Sequence, residues 1–176
     1  LNKPVHHLAA RHGFRRVAVY RRYRADPAPV ADVPALRKLT TADLQAAWSL
    51  IRSSPRYRAS SGLYEESWTW KNLTLERLSY RITEGRVWGL EANGDLTALA
   101  IIHTPEPGEP LYVSLGDGRD EALCPLFMGL RGLAASMGCS EVKFKPPNEP
   151  ALIAAVEAAG YQISKERDIW IFELVL

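Results

Sequence analysis

Asn93-Gly94 stands between two β-rich runs, Arg86–Ala92 and Leu96–His103. Both residues of a two-residue hairpin turn need positive φ, which Asn and Gly adopt at least cost. The dipeptide therefore sets a tight antiparallel pair at the centre of whatever sheet the chain forms.

The elements around that hairpin follow from hydrophobic period and from turn residues. Pro4–Arg11 reads as a short helix closing at Gly13, and Arg15–Tyr23 as a strand. Asp26–Pro34 holds three prolines without periodicity and reads as a linker. Ala35–Leu39 is a candidate strand. Thr40 then caps a helix to about Ser53, with Asp43 at the N3 position and Leu44, Ala47, Trp48 and Ile51 in one stripe. Ser53–Ser61 is polar and loop-like, and Leu75, Leu78, Ser79 and Ile82 carry a second helix to Gly85. Beyond the hairpin come a strand at Leu111–Leu115 and a long helix at Asp120–Met137. A strand at Glu141–Lys145 and a helix at Glu149–Ala159, capped by Asn148, follow, with final strands at Gln162–Ser164 and Ile169–Val175. Helices and strands in this order make an α/β layer structure: a mixed, mostly antiparallel central sheet with helices on both faces.

The chain has 176 residues, 47% hydrophobic and 24% charged, which suits one good core. No apolar run approaches the ~20 residues of a membrane span, and no charged-then-apolar leader stands at the start of the sequence given. Two cysteines, Cys124 and Cys139, lack partners spaced for zinc and fit free thiols in a reducing cytoplasm. Charge is unevenly spread. Residues 1–26 hold seven Lys and Arg against Asp26, a net +6 that leaves −4 on the rest of a chain of net +2. A basic block on an acidic body fits a nucleic-acid arm, a solvated face, or a segment that sits against an acidic surface. Nothing in 1–26 repeats the stacking aromatics of an RNA platform, so nucleic acid is not the expected partner.

The two ends of the chain are alike. LNKPVHHLAARHGF and PNEPALIAAVEAAGY both give Asn, any residue, Pro, an Ala/Leu-rich stretch, Gly and an aromatic, with Asn2 and Asn148 146 positions apart. Together with GRVWGLEANGDLTALAIIH and LYVSLGDGRDEALCPLFMGLRGLAASMG, the second of these phrases resembles the GNAT acetyltransferase superfamily over residues 34–176. The resemblance makes 35–176 a complete GNAT-like domain, 27–34 a Pro-rich linker, and 1–26 the helix–strand end of a preceding GNAT-like domain. Leu1 in place of Met is compatible with a piece of a longer tandem protein. A simple N-terminal helix and strand of a single domain is the other reading of 1–26. In either, Leu8, Val17, Val19 and Tyr20 need something to pack on, because a lone helix and strand bury too little.

What the resemblance implies is acetyl transfer from acetyl-CoA to an amine on a small molecule or peptide, with a homodimer or a second GNAT-like domain as the expected protein partner. The amine loses a proton and attacks the thioester carbonyl, whose oxygen gathers charge. In relatives the pantetheine arm runs beside the strand equivalent to Leu111–Leu115. The pyrophosphate sits in the loop equivalent to Gly116–Ala122, at the start of the long helix. That carries the cofactor to Val113, Leu115, Gly116, Gly118, Arg119 and Asn148. The sequence departs from the pattern in two ways. Counting back from Ala134 and Gly138 puts Glu121 and Leu123 on positions that are small in relatives, and Asp117, Asp120 and Glu121 bring three carboxylates to a diphosphate site with only Arg119 opposing them. The Tyr that in many relatives protonates the departing thiolate is replaced by Val156, and by Ala9 in the first copy.

Other side chains admit two readings each. His103 ends a β-run and is either a base or a satisfied strand-end residue. His6 and His7 are adjacent and point about 100° apart on a helix, a poor metal pair. Tyr64, Trp68 and Trp70 either shape an acceptor pocket or fill the core, and Glu65 and Glu66 either attract a cationic amine or are solvated. Two functions follow: an acetyl-CoA-dependent N-acetyltransferase, or a catalytically degenerate GNAT-like domain with a structural or regulatory role beside an active one.

Overall fold

The Asn93–Gly94 turn closes the central hairpin, with φ of 54° and 84° at its two residues. Its strands are β5 (Val87–Ala92) and β6 (Asp95–Ile102). The computed structural model describes residues 3–29, 35–66, 69–103 and 105–174, with backbone alone at 3–6 and 165–167. N-terminal to the hairpin lie α1 (Lys3–Arg11), β1 (Phe14–Ala25), β2 (Arg37–Lys38) and α2 (Leu44–Ser53). Then come α3 (Pro55–Ala59), β3 (Leu63–Glu66), β4 (Thr69–Asn72) and α4 (Leu75–Thr83). C-terminal to it are β7 (Leu111–Gly118), α5 (Asp120–Ser136), β8 (Val142–Phe144), α6 (Pro150–Ala158) and β9 (Gln162–Leu174).

Seven strands form one sheet in the order β2-β5-β6-β7-β8-β1-β9, and β3 and β4 form a separate two-stranded hairpin. Every neighbour pair in the large sheet is antiparallel except β7 and β8. The mixed α/β architecture with helices on both faces is therefore as the sequence indicates. On one face α5 and α6 bury Leu123, Leu126, Phe127, Leu130 and Leu152 against β6, β7 and β8. On the other, α2 and α4 bury Ala47, Ile51, Leu78 and Ile82 against Leu99 and Ile101 of β6. Each fully buried Leu, Ile or Phe contributes roughly 1.5–3 kcal/mol, so these two layers hold the sheet together.

Spatial order departs from chain order at β1. Residues Tyr23, Arg24 and Ala25 pair with β8, while the whole length of β1 pairs with β9. Tyr23 is 1% exposed in the α5–α6 core, and its hydroxyl donates to Glu157 Oε1 at 2.8 Å. The N-terminal strand is thus built into the sheet, next to a strand more than a hundred residues away. After it the chain crosses the outside of α5: Ala28 N–H donates to Arg131 C=O, and Leu36 packs on Gly129, where a Cβ would come within 3.0 Å of it. Residues 30–34 of the expected linker lie outside the described residues.

The repeated ends share backbone but not environment. Gly13 and Gly160 both close a helix in the left-handed region, with φ of 77° and 85°, and each is followed by a strand. Tyr161 is then buried with its hydroxyl on Phe127 C=O, whereas Phe14 is 40% exposed and Leu8 of α1 is 57% exposed.

Several local expectations need correction. Ser53–Ser61 is not a plain loop but contains α3, whose start is fixed by Ser54 as N-cap and Pro55 at the first helical position. Asn148 does not cap α6. Glu149 does, its carboxylate accepting from Ala151 and Leu152 N–H, while Asn148 N–H donates to Val19 C=O on β1. Residues 162–174 form one strand rather than two, because β1 pairs with it along that length through three register shifts.

Candidate functional site

The site expected from the sequence lies where β7 and β8 part. They pair in parallel only at Leu111–Val142, Tyr112–Lys143 and Val113–Phe144. Two local causes separate them beyond that point. Pro146 and Pro147 lack N–H groups and end β8, and Pro147 bridges to Tyr20 of β1 instead. On the other side, Ile101 pairs with Leu115 but Ile102 with Val113, so Ser114 is an extra residue in β7. The bulge reverses which face the following residues meet. Val113 points into the α5–α6 core, and Leu115 packs half-buried on the α2–α4 side.

Gly116 and Gly118 do not form a loop at this opening. They are buried residues of β7, opposite Ala100 and Ala98 of β6. A Cβ on Gly116 would lie 2.8 Å from the Phe127 ring, and one on Gly118 would lie 2.7 Å from Ala98 Cα. Close packing of α5 and β6 against β7 accounts for both glycines. The strand runs to Gly118 and α5 starts at Asp120, so no flexible glycine loop stands before that helix. Arg119 is not turned to the opening either: its side chain is half exposed, with Nη2 4.0 Å from Asp95 Oδ2.

What occupies the opening is a buried ion network led by Arg56 of α3, which is 4% exposed. Its Nε donates to Asp117 Oδ1 at 2.7 Å, Nη1 to Asp120 Oδ1 at 2.7 Å, and Nη2 to Gly118 C=O at 2.5 Å. Nη1 also lies 3.7 Å from Glu149 Oε2 at the start of α6. Ser54, the cap of α3, donates its hydroxyl to Asp117 Oδ2 at 2.5 Å while accepting Tyr57 N–H. Hydrogen bonds of Arg56 with Asp117 and Asp120 raise its pKa against the opposing effect of burial, so it stays charged. Burial raises the pKa of Asp117 above the usual carboxylate range, opposed by the Ser54, Arg56 and Gly118 donors. The remaining space beside Tyr20, Arg56, Leu115 and Lys145 is about 20 Å³, room for one water.

Near the three carboxylates Asp117, Asp120 and Glu121 the sequence offers only Arg119 as a counter-charge. The missing cation is Arg56, sixty residues upstream. The available signal was Ser54-Pro55, a helix start that orients the next residue, though spacing alone does not pair it with Asp117.

The side chains expected on the acceptor side are engaged by neighbours. Glu65 pairs with Lys145, just after β8, and Glu66 pairs with Arg81 and, at 2.8 Å, with Lys71. Tyr64 is buried in the α2–α4 core, and Trp70 sits 5.6 Å from the Tyr20 ring. Trp68 and the His6 side chain lie outside the described residues. His103 ends β6 half-buried, its N–H donating to Tyr112 C=O. Burial first, then the nearby Arg86 and Arg81, push its pKa below the ordinary value. Val156 is fully buried core, with no hydroxyl to serve as an acid. Among the described residues no cluster of three His, Cys, Asp or Glu could hold a metal ion, both cysteines are free, and no helix is long and apolar enough to cross a membrane.

No protein-family model matches the sequence. No curated protein matches it significantly. Solved structures do match. An acetyltransferase from the GNAT family of Colwellia psychrerythraea superposes with a TM-score of 0.59 at 13% identity, over 96% of this chain and 60% of its own. A GCN5-related N-acetyltransferase from Sphaerobacter thermophilus gives 0.61 at 13% identity, over 97% and 55%. A tandem GNAT protein from the clavulanic acid biosynthesis pathway gives 0.52 at 16% identity, over 98% and 58%. The fold is thus that of the GNAT acetyltransferases, and the chain spans about 55–60% of the length of these three proteins.

Proposed function

We propose that this chain is a GNAT-fold domain without acetyl-CoA chemistry of its own, serving a structural or regulatory role within a larger N-acetyltransferase. The observation that carries the reading is the buried Arg56 network between β7 and the start of α5. A diphosphate entering there would have to displace Arg56 from three acceptors and then face Asp117, Asp120 and Glu149. Like charges at such separations in a buried setting repel by several kcal/mol. The pantetheine arm would pass beside the same network, where the space next to Tyr20, Arg56, Leu115 and Lys145 is about 20 Å³.

Exposure of Leu8 and Phe14 supports the larger context. The first copy of the helix–Gly–aromatic phrase leaves on the surface an aromatic that the second copy buries, as expected if its core belongs to a preceding domain. Isothermal calorimetry with acetyl-CoA tests the proposal. No saturable heat up to millimolar ligand is expected, and micromolar binding to the unaltered chain would overturn it.

A second reading, an active N-acetyltransferase, draws on the Ser114 bulge. The bulge turns the backbone of β7 at the point where it parts from β8, which is where an amide could meet a carbonyl oxygen that gathers charge. This reading requires α3 to withdraw Arg56, and the same calorimetry decides between the two.

A further inference from the structure

On the face of the sheet opposite α5 and α6, a groove of about 330 Å³ lies over β7, β8, β1 and β9. We infer that this groove is a binding site for a small anionic ligand carrying a carboxylate or phosphate group, held by Arg22 and Arg24. The inference does not depend on whether the domain transfers acetyl groups.

The alternation of β1 makes the site. Tyr23 points into the core, so Arg22 and Arg24 both line the opposite face, within one strand repeat of each other. Phe144 of β8 is buried in the same way, and its chain neighbours Lys143 and Lys145 line the groove. Arg24 stands directly opposite Lys143 across the antiparallel pair. Like charges in that relation destabilise a sheet, and a bound anion removes the penalty. The two lysines have carboxylates: Lys143 Nζ is 2.7 Å from Glu141 Oε1, and Lys145 pairs with Glu65. Among the described residues neither Arg22 nor Arg24 has a carboxylate ion-pair partner, and the groove's own carboxylates, Glu65 and Glu141, are engaged by Lys145 and Lys143.

The far wall adds a second feature. Arg22 pairs with Lys165 and Tyr23 with Ile163, leaving Ser164 as the extra residue of a bulge in β9. Ser164 lines the groove and is exposed, presenting a hydroxyl donor beside the two arginines. Tyr112 of β7 closes the other side, under Lys143 Nζ at 5.5 Å from its ring. Paired guanidinium forks with a hydroxyl between strands suit a planar carboxylate or a tetrahedral phosphate, each bound by charge-assisted hydrogen bonds.

The experiment follows backbone amides by NMR while inorganic phosphate, citrate or sodium chloride is added to the chain at constant ionic strength. Saturable shifts centred on Tyr112, Lys143 and Ser164 are expected with phosphate or citrate and not with chloride. The stronger of the two names the ligand chemistry as phosphate or carboxylate. Arg22→Gln with Arg24→Gln weakens binding about tenfold or more, by loss of two charge-assisted contacts. Arg15→Gln with Arg16→Gln, which removes the same charge from the same strand outside the groove, leaves it within about twofold. If the first double variant loses amide dispersion, Arg24→Gln alone supplies the comparison. Equal weakening in both doubles, non-saturating shifts, or tight binding of an oligonucleotide without response to either small anion would overturn the assignment.

Discussion

Arg56 Nε lies 2.7 Å from Asp117 Oδ1, and the two side chains are 4% and 3% exposed. The pair ties α3, from the first half of the chain, to the end of β7. Removing one partner leaves a buried charge without compensation, so Arg56→Ala is expected to cost about 3–5 kcal/mol. Arg56→Met combined with Asp117→Leu should recover part of that, since the buried Asp117 charge leaves with its partner and Asp120, 67% exposed, falls back on solvent. The midpoint of urea unfolding at constant slope reads both values. A loss below about 1 kcal/mol in the single variant would show that α3 does not hold Arg56 in place.

The two glycines of β7 are separable by what surrounds them. Gly116 faces a side chain, the ring of Phe127, which is stacked on Phe144 at 5.2 Å. Gly118 faces backbone, with Thr97 C=O at 2.7 Å from a built Cβ. Gly116→Ala should therefore cost about 1–3 kcal/mol, and be eased by Phe127→Leu, while Gly118→Ala costs more and is not eased. Thermal unfolding of the four variants gives the order. Equal and small losses would return these residues to a functional rather than a packing role.

Legibility in the sequence followed the range of the interactions. The Asn93–Gly94 turn, the Thr40–Asp43 cap and the Gly160 helix end act over a few residues, and each is where its local chemistry puts it. Gly116 and Gly118 misled because glycine serves a phosphate loop and a tightly packed strand equally well. Only the position of Phe127 and Ala98 decides between them. Arg56 was invisible for a related reason: its partners are about sixty residues away, and an arginine after Ser-Pro looks like any exposed helix start. The place of β1 between β8 and β9 is a matter of long-range pairing, which periodicity does not encode.

His103 gives a pH signature. Its pKa in the folded chain is below the ordinary 6.5, owing to burial and then to Arg86 and Arg81. Between that lowered value and 6.5 the unfolded chain binds the extra proton, so stability rises with pH. The contribution is complete above 6.5 and is lost as pH falls through the folded pKa. Unfolding free energies of the wild type and His103→Asn, measured from pH 7.5 down to the acid limit, should converge in slope above 6.5 and differ below it. Parallel curves throughout would mean that the imidazole is as well solvated folded as unfolded.

The N-terminal strand supplies the sharpest test of the architecture. Among the described residues β9 pairs with β1 alone, and Ala18, Tyr20, Tyr23 and Ala25 of β1 are buried. Loss of the Tyr23 side chain by itself corresponds to about 3–5 kcal/mol, a large part of the 5–15 kcal/mol that holds a domain of this size. Deleting residues 1–26 also frees the whole inner edge of β9 and the Tyr20–Pro147 bridge. The shortened chain is therefore expected to lose amide dispersion for β8, β9 and α6, while the β5–β6 hairpin with α2 and α4 retains it. A synthetic peptide of residues 13–26 added in trans should restore the lost resonances, because it returns the partner strand on which β8 and β9 pair. Retention of the full spectrum and unfolding midpoint without the peptide would place β1 outside the cooperative unit. In that event the seven-stranded sheet would not be what stabilises this domain.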